Sequence, residues 1–171
     1  LAVDVSFAKE IEQLSLANYK KAIASTIQAL SGYSNIFYDI QNEYNCNGLS
    51  SGQIKEIRDA IKAQVNSAIV SASNACGATP EEAVSIATSA GLDLINYHDD
   101  RTPDWYSQTE TRIKTISPPA KPIYFGEPAK IQDFPGTTAT NLTTAVTQAK
   151  KAGAAAWTFH NTAGYSLSSS T

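Results

Sequence analysis

The sequence predicts an α/β fold of repeated β-α units around a parallel sheet, and three observations point there. Short β-rich apolar runs alternate with longer stretches of helical period. The runs are apolar throughout rather than alternating, as suits strands covered by helices on one face and by a packed interior on the other. Polar residues gather just after each run, at the strand ends where βα folds bind their ligands.

About six runs read as strands: 1–7, 35–41, 68–72, 92–97, 122–125 and 154–159. Between the first two, Leu16, Tyr19, Ile23, Ile27 and Leu30 recur at three- and four-residue steps, one apolar stripe for a helix that Gly32 ends. The second helix sets Ile54, Ile57 and Ile61 on one face, with Ser50 or Ser51 to cap its first amides. In the third, Thr79, Pro80 and Glu82 combine a capping box with a proline in the first turn. Ile113 and Ile116 close a fourth helix that Pro118-Pro119 terminates. Leu142, Ala145, Val146 and Ala149 mark a fifth, which Gly153 ends, and the Ser-rich stretch from Ser166 reads as a frayed tail.

With 171 residues, 42% of them hydrophobic, the chain is expected to form a single domain over 1–171. A net charge of -3 and a pI near 5.3 argue against a nucleic-acid partner and suit an uncharged polar ligand. No apolar run reaches bilayer length, so no membrane partner is expected. Neither a basic stretch nor an apolar signal core opens the chain, and its first residue is Leu with no Met anywhere, which suggests a processed chain or a fragment.

His98 and His160 have no zinc-type spacing to Cys46 and Cys76, so no metal is expected; nor is a cofactor, since no Gly-rich phosphate loop follows any strand. Both cysteines fall in adjacent loops on the ligand-binding face. A disulfide there would brace the rim and imply an oxidising, extracellular compartment, and two separate loop thiols are the alternative. Asn141-Leu142-Thr143 is a formal glycosylation sequon, and Asp99, Asp100 and Arg101 read as a solvated loop cluster.

Two strands deliver a carboxylate to the same rim: Glu43 within Gln41-Asn42-Glu43-Tyr44-Asn45, and Glu127 within Gly126-Glu127-Pro128. Cleaving a glycosidic bond requires two such groups, one protonated to donate to the leaving oxygen and one ionised to attack or to activate water. The protonated one needs a raised pKa, from burial or from its neighbour, and Tyr44 is placed to cover Glu43.

Phe37-Tyr38-Asp39-Ile40-Gln41-Asn42-Glu43 resembles the fourth strand of the clan A glycoside hydrolases, retaining TIM-barrel glycosidases whose acid/base Glu follows an Asn. Ile123-Tyr124-Phe125-Gly126-Glu127 resembles their seventh strand, which ends in the nucleophile. Leu92 to His98 resembles the sixth and Ala155-Ala156-Trp157 the eighth. The resemblance implies a partial (βα) TIM barrel holding strands three to eight. It implies Glu43 as acid/base, Glu127 as nucleophile, Asn42 bonding the sugar 2-hydroxyl, His98 contacting sugar or leaving group, and Trp157 as stacking platform. A retaining mechanism sets the two carboxyls roughly 5 Å apart.

The chain departs from the family in lacking its first two strands and the second-strand Arg that commonly holds the nucleophile ionised. Asp100 stands where the family has a Tyr beyond its sixth-strand His, leaving Tyr97 or Tyr106 as substitutes. Six strands leave two open edges, so homo-oligomerisation through them is expected. The expected activity is hydrolysis of a β-linked oligo- or polysaccharide. The alternatives are a non-catalytic carbohydrate-binding protein and an inactive half-barrel that self-assembles.

Overall fold

The computed structural model describes residues 2–7, 14–75, 77–99, 102–116, 121–127 and 134–158. Among these the order is β1 (Val3–Ser6), α1 (Leu16–Leu30), β2 (Ile36–Asp39), α2 (Ser51–Gln64), β3 (Ile69–Ser71), β4 (Ser73–Asn74), α3 (Pro80–Ser89), β5 (Ile95–His98), α4 (Trp105–Ile116), β6 (Ile123–Glu127), α5 (Ala139–Lys151) and β7 (Ala156–Trp157). The paired strands run parallel, in the orders β1-β2-β3 and β4-β5-β6-β7. This is the partial barrel with outer helices that the sequence predicts.

The third predicted strand is longer than expected and changes partner at Ala72: β3 pairs with β2, and β4 pairs with β5. Carboxylates continue the ladder where a neighbouring strand has ended. Asp93, just before β5, donates its N–H to the Val70 carbonyl (2.9 Å) and accepts the Val70 N–H on Oδ2 (2.8 Å). Because Asp93 takes that place, β5 begins at Ile95 rather than at residue 92. At the last residue of β2, Asp39 Oδ1 accepts the Ser73 N–H at 2.9 Å. Staggered neighbours of this kind are what a tilted, sheared barrel sheet requires.

The helices form where capping and periodicity predict. Ser15 caps α1, and Ser50 with Gln53 and Thr79 with Glu82 close capping boxes on α2 and α3. α5 carries a box that sequence reasoning missed, with Asn141 replacing the usual Glu or Gln opposite Thr138. Tyr19, Ile23 and Ile27 of α1 are buried with Ile54, Ile57 and Ile61 of α2, Ile86 of α3, and Ile113 and Ile116 of α4. Each fully buried Ile contributes roughly 1.5–3 kcal/mol. In α5 only Ala145 and Ala149 of the predicted stripe are buried, while Val146 is exposed. Pro118, Pro119 and the stretch from Ser166 lie outside the described residues.

The inner face of the sheet differs from the expected apolar interior. Tyr38, Val70, Ile95, Tyr97, Ile123 and Phe125 join the helix-side core, but the residues alternating with them include Asp39, Ser71, Ser73, Asn96 and His98, all buried. Phe37 of β2 meets Tyr124 of β6 across this face, ring centroids 5.0 Å apart. The strands therefore alternate after all, with polar groups on the inner side.

Candidate active site

Glu43 lies just beyond β2, on a loop whose approach is fixed by buried hydrogen bonds. The Tyr19 hydroxyl contacts the Ile40 carbonyl (3.0 Å) and Gln41 Oε1 (2.9 Å), and the Asn42 N–H donates to the Phe7 carbonyl at 2.7 Å. Glu43 then adopts φ +48°, in the left-handed region. For a residue with a long side chain this costs roughly 1–3 kcal/mol and persists only where surrounding bonds impose it. Its N–H donates to Ser73 Oγ (2.8 Å), and its carbonyl accepts from the amides of Cys46 (2.9 Å) and Asn47 (3.1 Å) and from Asn47 Nδ2 (3.2 Å). The next amide, of Tyr44, donates to the Ser73 carbonyl at 2.9 Å.

Glu127 reaches the same place through a β-bulge. Tyr97 pairs with Phe125, but His98 pairs with Glu127, so Gly126 is the extra residue on β6. Strict alternation from Tyr124 on the inner face and Phe125 on the helix side would send Glu127 toward the helices. The bulge instead brings it beside His98, the re-aiming that bulges commonly perform near functional sites. Only glycine fits at position 126, because a Cβ there would stand 2.7 Å from Asn96 Oδ1 and 2.9 Å from His98 Nε2. Sequence reasoning missed this role, although a glycine inside a strand run is the signal for it.

His98 is 6% exposed, and its Nδ1 lies 3.4 Å from Glu43 Oε1. Glu43, His98 and Glu127 each offer an atom within 4.8 Å of the other two. The nearest oxygens of the two carboxyls are therefore no more than 4.8 Å apart. The trio is also a ligand set of the kind that holds a divalent cation.

Two further carboxyls, of Asp39 and the half-buried Asp4, stand on the inner face of the sheet. Asp39 is fully buried, and desolvation pushes its pKa up to about 6, against the lowering effect of its bonds to Ser73 and of the nearby His98. Burial also raises Asp4, opposed by bonds to Tyr124 and Ser6. Neither residue was expected at the site; their only trace in the sequence is an acid standing inside an apolar run.

The remaining expected site residues divide. Asn42 is half-buried with its backbone held at both ends, its carbonyl accepting from Gln41 Nε2 and Asn47 Nδ2, each at 2.9 Å. Tyr97 is corrected from substrate contact to core residue. It is 1% exposed, its ring centroid 5.5 Å from that of Phe125, and its hydroxyl donates to Asp99 Oδ1 at 3.1 Å. Asp99 is likewise not a solvated loop residue, being buried and paired with Arg112. Asp100 and Arg101 lie outside the described residues.

Trp157, expected as a sugar platform, is half-buried; it stands beside Phe125 in register and packs against the helix-side core and the Trp105–Ala145 cluster. Thr158 turns the other way, with its hydroxyl on the Gly126 carbonyl. Tyr44 packs on the apolar core near Glu82. Cys46 is disulfide-bonded, and Cys76, the chain's other cysteine, lies outside the described residues.

The sequence matches no protein-family model and no curated protein. Solved structures match the fold. The catalytic domain of Thermobifida fusca endoglucanase Cel5A superposes with TM-score 0.60 at 15% identity, over 94% of this chain and 56% of that one. The endo-1,4-beta-D-mannanase of Thermotoga petrophila RKU-1 gives TM-score 0.62 at 16% identity, over 85% and 53%. A mandelate racemase/muconate lactonizing enzyme from Roseiflexus gives 0.50 at 14% identity, over 91% of this chain. The chain thus has the fold of TIM-barrel glycosidase catalytic domains and spans about half the length of those it matches.

Proposed function

We propose that this chain hydrolyses O-glycosidic bonds in a β-linked oligo- or polysaccharide by a retaining double displacement. The observation that carries this reading is the approach of Glu43 and Glu127 to within 4.8 Å at two strand ends of a glycosidase-type barrel. The Glu127 carboxylate attacks the anomeric carbon while the Glu43 carboxyl gives its proton to the leaving oxygen. A water that Glu43 then deprotonates displaces Glu127 and frees the sugar. His98, against Glu43, orients that carboxyl and contacts the bound sugar, and Asn42 bonds the 2-hydroxyl. Glucan and 1,4-β-mannan are the first polymers to try, following the endoglucanase and endo-1,4-beta-D-mannanase among the matching structures.

Among the described residues β1 and β7 end their sheets, which supports a further part of the proposal, that copies of the chain associate through these edges. The Cys46 disulfide supports an extracellular location. The same open edges favour a second reading, a half-barrel that assembles and binds sugar without cutting it. To separate the two, the purified chain is incubated with aryl β-glycosides and the two polymers beside Glu127→Gln, while light scattering reports its mass. Turnover lost in the variant supports hydrolysis. A folded chain that binds sugar but releases neither aglycone nor reducing ends supports the second reading.

A further inference from the structure

We propose that Asp39 is a positioning residue for the Glu43 carboxyl, acting through Ser73 to hold the left-handed turn on which Glu43 stands. This rests on reading Glu43 as the acid/base. Asp39 is fully buried and touches neither carboxyl of the trio in the hydrogen bonds described. It accepts twice from one residue, on Oδ1 from the Ser73 N–H (2.9 Å) and on Oδ2 from Ser73 Oγ (2.5 Å). A serine hydroxyl has one hydrogen, so giving it to Asp39 leaves only lone pairs facing the Glu43 N–H, which occupies one at 2.8 Å. The Ser73 carbonyl takes the following amide, that of Tyr44. Ser73 thereby holds the amides on both sides of the Glu43 α-carbon, and Asp39 sets the direction of the hydroxyl that makes the first of these bonds.

The arrangement explains why an ionisable side chain is kept at a fully buried position. An apolar residue at 39 would leave the Ser73 N–H and hydroxyl without acceptors. An amide would meet two donors with one oxygen and present its own N–H₂ to the other, so the Ser73 hydroxyl hydrogen loses its acceptor and turns toward the side of the Glu43 N–H, weakening the bond that holds the left-handed turn. A charge-assisted acceptor also makes the strongest bonds available for holding a strained turn. With the turn relaxed, the Glu43 side chain leaves from a different direction and loses its approach to His98 and Glu127.

The test compares Asp39→Asn and Ser73→Ala with the parent chain, each shown folded by its far-ultraviolet circular dichroism. The first readout needs no turnover: amide hydrogen exchange at Glu43, and its φ from the HN–Hα coupling in a ¹⁵N-labelled sample. Both variants are expected to lose the protection and the positive φ, and retention of both in Asp39→Asn overturns the proposal. The second readout is the leaving-group dependence of kcat/KM on aryl β-glycosides. A displaced acid costs on the order of a hundredfold for phenyl glycosides, which need a proton, and far less for 2,4-dinitrophenyl glycosides, which do not. Equal losses on both substrates overturn it. If the parent itself shows no turnover, the proposed hydrolysis fails while the exchange and coupling data still decide the clamp. Should Asp39→Asn not fold, Ser73→Ala carries both readouts.

Discussion

Along β6, Ile123 and Phe125 are sealed against the helices, while Tyr124 and Gly126, each following one of them, face the inner groups of the sheet. The same alternation runs through β2 and β5, and it divides the molecule into two regions built to opposite rules. On the helix side, apolar stripes, capping boxes and ordinary backbone geometry agree with one another, and each favours the same structure. On the inner side, buried carboxyls, a left-handed glutamate and a bulged glycine each carry a local cost that surrounding hydrogen bonds offset. The difference teaches that folding free energy comes from one face and is spent on the other, so substitutions on the two faces should separate stability from activity.

The largest expected effect is on the inner face: Glu127→Gln lowers turnover by more than about a thousandfold with its midpoint of unfolding unchanged, as read by parallel rate assays and thermal melts. Ile57→Ala is the mirror case. Ile57 is fully buried in α2, and its truncation should cost about 2–5 kcal/mol in urea unfolding while kcat of the folded fraction holds. Gly126→Ala should affect both regions, since its Cβ would stand 2.7 Å from Asn96 Oδ1 and 2.9 Å from His98 Nε2. A loss of about 1–3 kcal/mol and a fall in activity on the order of a hundredfold are expected. An active Gly126→Ala would show that the bulge can be rebuilt without it.

Asp39 gives the comparison a pH dependence. Burial raises its pKa from 3.8 to about 6, so the folded protein holds this proton more tightly than the unfolded chain. Its contribution to stability is therefore fully present below about pH 4 and is lost as the pH rises through about 6, on the order of 3 kcal/mol. Urea unfolding of Asp39→Asn across that range should show a flatter profile than the parent. A parent profile already flat between those values would mean that the inner face solvates this carboxylate better than its burial implies.

How much of each region was legible follows from the same division. The helix-side elements were read from the sequence because their signals are local: Thr79-Pro80 with Glu82, or Ile54, Ile57 and Ile61 at helical spacing. That Glu43 and Glu127 meet at one rim was legible through the resemblance of their segments to two glycosidase strands. What was missed depends on through-space partners. Nothing in the linear order tells that Ser73 meets Asp39, or that Gly126 must be bare to admit His98. Tyr97 was misplaced because an aromatic at a strand end looks alike in sequence whichever face it takes, and a one-residue shift decides between core and site.

The smallest effect tests whether the helix side tolerates loss piecewise. Thr79 and Thr138 cap α3 and α5 in the same way, each accepting an N3 amide and each reciprocated by the N3 side chain. Their surroundings differ: α3 buries Ala83, Ile86 and Ala87, whereas α5 buries only Ala145 and Ala149 and leaves Val146 exposed. A capping box removed from a well-anchored helix should cost about 1 kcal/mol and leave the helix in place. Removed from α5, whose first turn begins with the exposed Ala139 and Thr140, it should let that turn fray first. Thr79→Ala is thus expected to lower global stability in urea. Thr138→Ala should instead show faster amide exchange confined to residues 139–142, with a smaller shift in the global midpoint. Equal global losses would mean that α5 is anchored as firmly as α3.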